Sequence, residues 1–254
     1  MNNPKMTSAR PDLLDRPDGA TIAYHRLAGK SPGVVFLGGF MSDMEGTKAL
    51  ALEDHCWRAG RAFLRFDPFA HGQSSGDMAE ATVGRWRRDA VAVLDELCTG
   101  PQVLVGSSMG GWVALLAALD RPTRLAGLVG IAAAPDATEM MWAEFDADVR
   151  ATLERDGVYH APSDYGDGPY TIAMKLIEEG RQQLILDRPI EISCPVRLLQ
   201  GMQDPDVPWR HALRIAAALT ADDVVLTLVK QGDHRLSQAA DIARLCATVE
   251  DLCG

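Results

Sequence analysis

Paired cysteines are missing from this sequence. Cys56, Cys98, Cys194, Cys246 and Cys253 are scattered, odd in number and form no C-x-x-C pair. That argues against a disulfide framework or a thiolate zinc site and fits reduced, buried thiols. Long apolar runs are missing too. No stretch approaches the ~20 residues of a membrane-spanning helix, so no span is expected. The opening MNNPKMTSARPDLLDRPDG holds no apolar core of the length a secretory signal needs. A soluble cytoplasmic protein is the expectation. Basic residues are in deficit, 25 Lys and Arg against 35 Asp and Glu, for a net charge of −10. Phosphate binding needs a basic face, so nucleic acid is not an expected partner. Internal repeats and low-complexity tracts are absent.

What remains is 254 residues, 47% of them hydrophobic, enough for one large α/β domain with a deep core. Short apolar, β-branched runs recur at 34–39, 61–67, 102–107, 125–134, 195–201 and 224–230. They are continuous rather than alternating, the pattern of parallel strands covered on both faces. TIAYHRL (21–27) alternates instead and reads as an antiparallel edge strand. Helical patterns lie between the runs at about 45–59, 82–98, 109–119, 208–219 and 238–252. Strand and helix in this alternation predict a mostly parallel, doubly wound sheet.

Residues from about 136 to 191 break the rhythm and are too long for a simple connection. They read as a small lid insertion over the carboxyl ends of the strands, with an ordinary helix pair at the sheet edge as the alternative. Met140, Met141, Trp142, Phe145, Tyr159 and Tyr165 in this segment could line an apolar pocket or simply pack together.

The strongest local signal is Gly106-Ser107-Ser108-Met109-Gly110-Gly111, between the strand QVLV and the helical WVALLAALD. G-x-S-x-G at a strand-to-helix turn is a nucleophile elbow. The turn is sharp and the serine strained, so side chains two residues to either side would collide. Ser107 is out of register with the glycines, which makes Ser108 the candidate nucleophile.

A serine needs a base within hydrogen-bond reach. In this kind of sheet the chain order is serine, acid, histidine. Among six histidines only His234 follows the last predicted strand. His211, beside Arg210 and Arg214, reads as solvated. His25 and His55 read as structural, His160 as a possible substrate contact and His71 as a possible pocket residue. For the acid, Asp204 at the end of PVRLLQGMQ leads, with Asp206 and Asp136 as alternatives. The oxyanion needs preorganised N–H donors. The backbone amides of Met109 and Phe40, the latter in the Gly38-Gly39-Phe40-Met41 turn, are the candidates. No metal or cofactor is expected.

These motifs resemble one α/β-hydrolase-domain family, that of mycophenolic acid acyl-glucuronide esterase and mitochondrial palmitoyl-protein thioesterase. The matching stretches are KSPGVVFLGGFMSDMEGTKALALE (30–53), TVGRWRRD (82–89), GPQVLVGSSMGGW (100–112), CPVRLLQGMQDPDVPW (194–209) and GDHRLS (232–237). The resemblance implies the α/β-hydrolase fold, a triad on Ser108, Asp204 and His234, and hydrolysis of acyl thioesters or acyl-glucuronide esters. The partner it implies is a small-molecule or acylated-protein substrate. The rivals are a general carboxylesterase or cofactor-free perhydrolase on the same fold, and a non-catalytic ligand-binding module on a hydrolase scaffold. The module would have lost a triad member, and all three are present.

Overall fold

Five of the continuous apolar runs form strands with neighbours on both sides and helices on both faces; the run at 224–230 instead forms a half-exposed edge strand, with Val225 and Leu228 open to water. The computed structural model describes residues 10–162 and 169–254. Its strands are β1 (Asp12–Asp15), β2 (Thr21–Leu27), β3 (Lys30–Leu37), β4 (Arg61–Phe66), β5 (Gln102–Ser107), β6 (Leu125–Ile131), β7 (Val158–Ala161), β8 (Tyr170–Ala173), β9 (Val196–Gly201) and β10 (Val224–Val229). Eight of these form one sheet in the order β1-β2-β4-β3-β5-β6-β9-β10. β2 pairs antiparallel with both its neighbours and every other pairing is parallel. β7 and β8 make a separate antiparallel ribbon.

The helices are α1 (Thr47–Arg58), α2 (Val83–Ala92), α3 (Met109–Asp120), α4 (Ala137–Glu144), α5 (Ala147–Asp156), α6 (Met174–Gly180), α7 (Trp209–Ala218) and α8 (Ala239–Cys253). They divide the core between the two faces of the sheet. Val35 and Leu37 point to one face, where Trp86 of α2 and Trp112 of α3 pack. Val34 and Phe36 point to the other, against Ala49, Leu52 and Cys56 of α1 and Leu245 and Val249 of α8. Period-two alternation of side chains along a strand produces this division. Helix α3 is buried nearly all round, so the residue at its N-terminus is held by the core itself.

Two expectations change. TIAYHRL is not an edge, because Asp12–Asp15 pairs outside it. DLLD is four residues with two apolar ones, too short to show a period. The segment between β6 and β9 holds α4, α5, the β7–β8 ribbon and α6, where only helices and a loop patch are legible in the sequence. It has a small core of its own around Leu153, Ile172 and Ile177. Tyr165 lies outside the described residues.

Candidate active site

Ser108 occupies the turn between β5 and α3 with φ +53° and ψ −120°, a backbone conformation that an L residue adopts only under constraint. Two glycines make room for it. A Cβ on Gly106 would run into the Gly110 carbonyl, and one on Gly110 into the carbonyls of Gly38 and Leu37. The turn is pinned from below: Ser108 N–H donates to the Ile131 carbonyl at 2.9 Å, and the Ser108 carbonyl accepts from Gly111 and Ala134. The hydroxyl therefore stands at the N-terminal end of α3, where the helix dipole favours negative charge.

His234 reaches Ser108 from the loop after β10. Gly201 lets that loop lie across the end of β9, since a Cβ there would strike the carbonyls of Gly232 and Asp233. Ser108 Oγ lies 3.1 Å from His234 Nε2, and His234 Nδ1 lies 2.9 Å from Asp204 Oδ2. A carboxylate only accepts, so Nδ1 carries the proton and Nε2 presents its lone pair to the hydroxyl.

The Asp204 side chain is wholly buried. Its Oδ1 accepts from the amides of Asp206 and Val207 at 2.9 and 2.8 Å, and Oδ2 accepts from Gln200 Nε2 at 2.9 Å. Gln200 also donates to the Gly201 and Val207 carbonyls. It is a supporting residue that sequence reasoning missed, because an internal strand glutamine carries no motif.

The structure thus brings together Ser108, His234 and Asp204. Asp206 is exposed and contributes its amide to Asp204. Asp136 is spent elsewhere, its carboxylate accepting from the amides of Ile185 and Leu186. Ligand atoms of Asp204, Asp206 and His234 lie within 4.8 Å of one another. Asp204 already accepts four hydrogen bonds, His234 Nδ1 among the donors, so its lone pairs are committed to the protein. The Phe40 amide is engaged by no other group among the described residues. Met109 N–H belongs to the first turn of α3, whose donors have no partner within the helix.

Other histidines sort by environment. His211 corrects the reading of a solvated residue. It is buried on the inner face of α7, Nε2 donates to the Pro135 carbonyl at 2.8 Å, and burial pushes its pKa down. Arg210 and Arg214 on the outer face misled the sequence reading. His25 and His55 face Glu45 and Glu250. His160 is exposed on β7, beside Thr171 Oγ1. His71 is buried behind the Phe40-Met41 turn, with Nε2 3.1 Å from the Met41 amide.

Above Ser108 opens a cleft of about 700 Å³. Its lining mixes apolar side chains, Phe40, Met140, Met141 and Tyr170 among them, with polar ones that include Lys48 and Ser237. Trp142, Phe145 and Tyr159 pack instead around Leu153. Lys48 Nζ donates to the Arg235 carbonyl at 2.6 Å, tying α1 to the residue after His234. Burial, reinforced by nearby Arg235 and opposed by Asp233, lowers the Lys48 pKa to about 8.

The folded state therefore disfavours charged Lys48; this penalty is fully present below about pH 8 and is relieved as pH rises from about 8 towards the ordinary value of 10.5. In thermal melts, Lys48→Met is expected to be more favourable relative to wild type at pH 7 than at pH 10. Each kcal/mol should appear as about 2–4 °C in a chain of this size. The same Tm difference at both pH values would show that Lys48 carries no such penalty.

Among the described residues no helix is long and apolar enough to cross a membrane. The family model described as α/β hydrolase fold matches residues 33–168. The mitochondrial palmitoyl-protein thioesterase of Bos taurus is 43% identical over 241 residues, 94% of this chain and 79% of that protein. The solved structure of mouse α/β-hydrolase domain-containing protein 10 superposes with TM-score 0.89 at 42% identity, covering 96% of this chain and 98% of that one. A putative hydrolase from Agrobacterium vitis gives TM-score 0.90 at 39% identity, covering 95% and 97%. These relatives also correct the cytoplasmic expectation, since the matching mammalian thioesterases are mitochondrial. Composition and hydropathy carry no address of that kind. The chain belongs to the α/β-hydrolase family and is a hydrolase within it.

Proposed function

We propose that the protein hydrolyses acyl esters, and acyl thioesters of the palmitoyl-protein type in particular, through an acyl-enzyme on Ser108. The observation that carries this reading is the hydrogen-bonded run from Ser108 Oγ through His234 to Asp204 at the floor of the cleft. Ser108 Oγ attacks the acyl carbonyl while its proton passes to His234 Nε2. The carbonyl oxygen takes up the negative charge and is held by the amides of Phe40 and Met109. The tetrahedral adduct collapses, the bond to the leaving group breaks, and His234 returns the proton to the departing thiolate or alkoxide. Water then attacks the acyl-serine with His234 as base, releasing the carboxylic acid and restoring Ser108.

Asp204 keeps the imidazole in the useful tautomer and stabilises the imidazolium that forms in each half-reaction. A thiolate is a better leaving group than an alkoxide, so the same groups serve both substrates. The segment between β6 and β9 acts as the lid of the cleft. Its Met140, Met141 and Tyr170 take the acyl chain, and the polar Lys48 and Ser237 face the leaving group. Support for the thioester comes from the relatives named palmitoyl-protein thioesterase, matched over 94% of the chain.

The test is a substrate panel of p-nitrophenyl esters from C2 to C16, acyl-CoAs, S-palmitoyl peptides and acyl glucuronides. Thioesters or acyl glucuronides are expected to give higher kcat/KM than short p-nitrophenyl esters. A preference for the short esters would leave a general carboxylesterase instead. No turnover together with no labelling by a fluorophosphonate would leave a binding module.

A further inference from the structure

His71 has a chemical environment that the triad does not explain. Its ring is almost entirely buried, with 4% of its surface exposed. On one side Nδ1 lies 3.1 Å from the Phe69 carbonyl, which can only accept; on the other, Nε2 lies 3.1 Å from the Met41 amide, which can only donate. One protonation state satisfies both: neutral imidazole with its proton on Nδ1. Burial works in the same direction by pushing the His71 pKa down. An imidazolium there would set an N–H against an N–H.

The residue that receives this lone pair is itself unusual. Met41 has φ +57°, a left-handed conformation that a non-glycine residue adopts only under constraint. It directly follows Phe40, whose amide is the outer oxyanion donor of the proposed mechanism. The Phe40 ring meets His71 edge-on at 6.5 Å and Trp86 at 6.0 Å. The loop carrying His71 is tied down in turn by α2. Trp86 Nε1 donates to the Phe69 carbonyl at 3.0 Å, and buried Asp89 accepts from the Phe69 amide at 2.9 Å. Asp67 bridges the same two loops, with Oδ1 on the Met44 amide and Oδ2 on the Gln73 amide. The TVGRWRRD stretch thus reaches, through Trp86, the Phe69 carbonyl and His71, the turn that holds the proposed oxyanion donor.

We infer that His71 is a positioning residue, whose neutral Nε2 accepts from Met41 N–H and so aims the Phe40 amide at the developing oxyanion. The inference rests on the proposed acyl-enzyme mechanism, and specifically on Phe40 as a donor. His71 touches no substrate and transfers no proton. Its effect is on the height of the transition state and hardly at all on ground-state binding.

Two variants separate this role from simple packing. His71→Phe keeps an aromatic ring against Trp86 and Phe40 but removes the acceptor. His71→Gln places an amide oxygen near the position of Nε2. Complete loss of an oxyanion donor costs about 10²–10³ in kcat, and a displaced donor should cost less. His71→Phe is therefore expected to lower kcat on a p-nitrophenyl ester by about 10- to 100-fold, with KM within about twofold of wild type. His71→Gln should recover most of the loss.

A Phe variant with kcat within twofold of wild type, or a Gln variant no better than Phe, would overturn the inference. If the Phe variant does not fold, His71→Leu against His71→Gln makes the same comparison, with the same overturning result. A wild-type protein that reacts with neither ester nor fluorophosphonate would overturn the acyl-enzyme mechanism instead, so the two failures are distinct.

Discussion

Replacing Ser108 with alanine is expected to lower kcat by about 10⁶-fold and to abolish fluorophosphonate labelling, while the fold and its melting temperature stay close to wild type. The size follows from covalent chemistry. In the proposed mechanism Oγ carries the acyl group, so without it water would have to attack a carbonyl activated only by the Phe40 and Met109 amides. The backbone should tolerate the change, because the Ser108 conformation is enforced by Gly106, Gly110 and the bond to the Ile131 carbonyl rather than by the hydroxyl. His234→Ala should cost nearly as much, and the double variant little more than either alone, since serine and histidine act as one unit. A Ser108→Ala protein that keeps more than a few per cent of activity, or still takes the probe at the same site, would remove Ser108 from the mechanism.

Asp204→Asn is the second large effect, expected at about 10⁴-fold in kcat with little change in KM. The hydrogen bonds around the carboxylate explain why so small a substitution is severe. Oδ1 accepts from the amides of Asp206 and Val207, so an asparagine must keep its oxygen there. Its NH2 group then replaces Oδ2, facing Gln200 Nε2 and His234 Nδ1. Two donors would oppose each other at Gln200. At His234 the imidazole would have to move its proton to Nε2, where it can no longer accept from Ser108. Asp206→Asn leaves all of these partners in place and should stay within a few-fold of wild type. The pair of rate measurements therefore decides between the two aspartates, and equal losses would sink the assignment to Asp204.

Much of this was legible before any coordinates. The apolar runs mark six strands of the sheet to within a few residues; in five of them burial on both faces leaves an unbroken hydrophobic record, whereas β10 is an edge strand whose Val225 and Leu228 face water. Glycine spacing marks the Ser108 turn because close backbone approach admits no other residue. The order of Ser108, Asp204 and His234 along the chain follows from where a parallel sheet leaves its loops. Other features left no such trace. DLLD is too short to carry a period. His211 turns inward on a helix whose neighbouring arginines face water, and the difference is one of 100° steps around a helix axis. Gln200 holds Asp204 and the turn after β9 through single hydrogen bonds, and His71 reaches Met41 thirty residues back in the chain, and neither kind of contact leaves an apolar period or a motif. The ribbon of β7 and β8 interrupts a segment whose flanks read as helix, and short antiparallel pairs depend on partners more than on propensity.

The edge-to-face contact of Phe40 with Tyr170, at 5.7 Å between ring centres, binds the fate of two regions that would otherwise vary independently. One ring follows the amide proposed to hold the oxyanion; the other belongs to β8, in the most irregular part of the chain. On the proposed mechanism, selectivity and turnover are therefore coupled through this one contact. An exchange of the 137–180 segment between relatives would bring a new neighbour for Phe40 along with a new acyl wall. Chimeras of this family should accordingly be judged by the rate of acylation as well as by the substrates they accept, because altering the guest also touches the machinery that receives it.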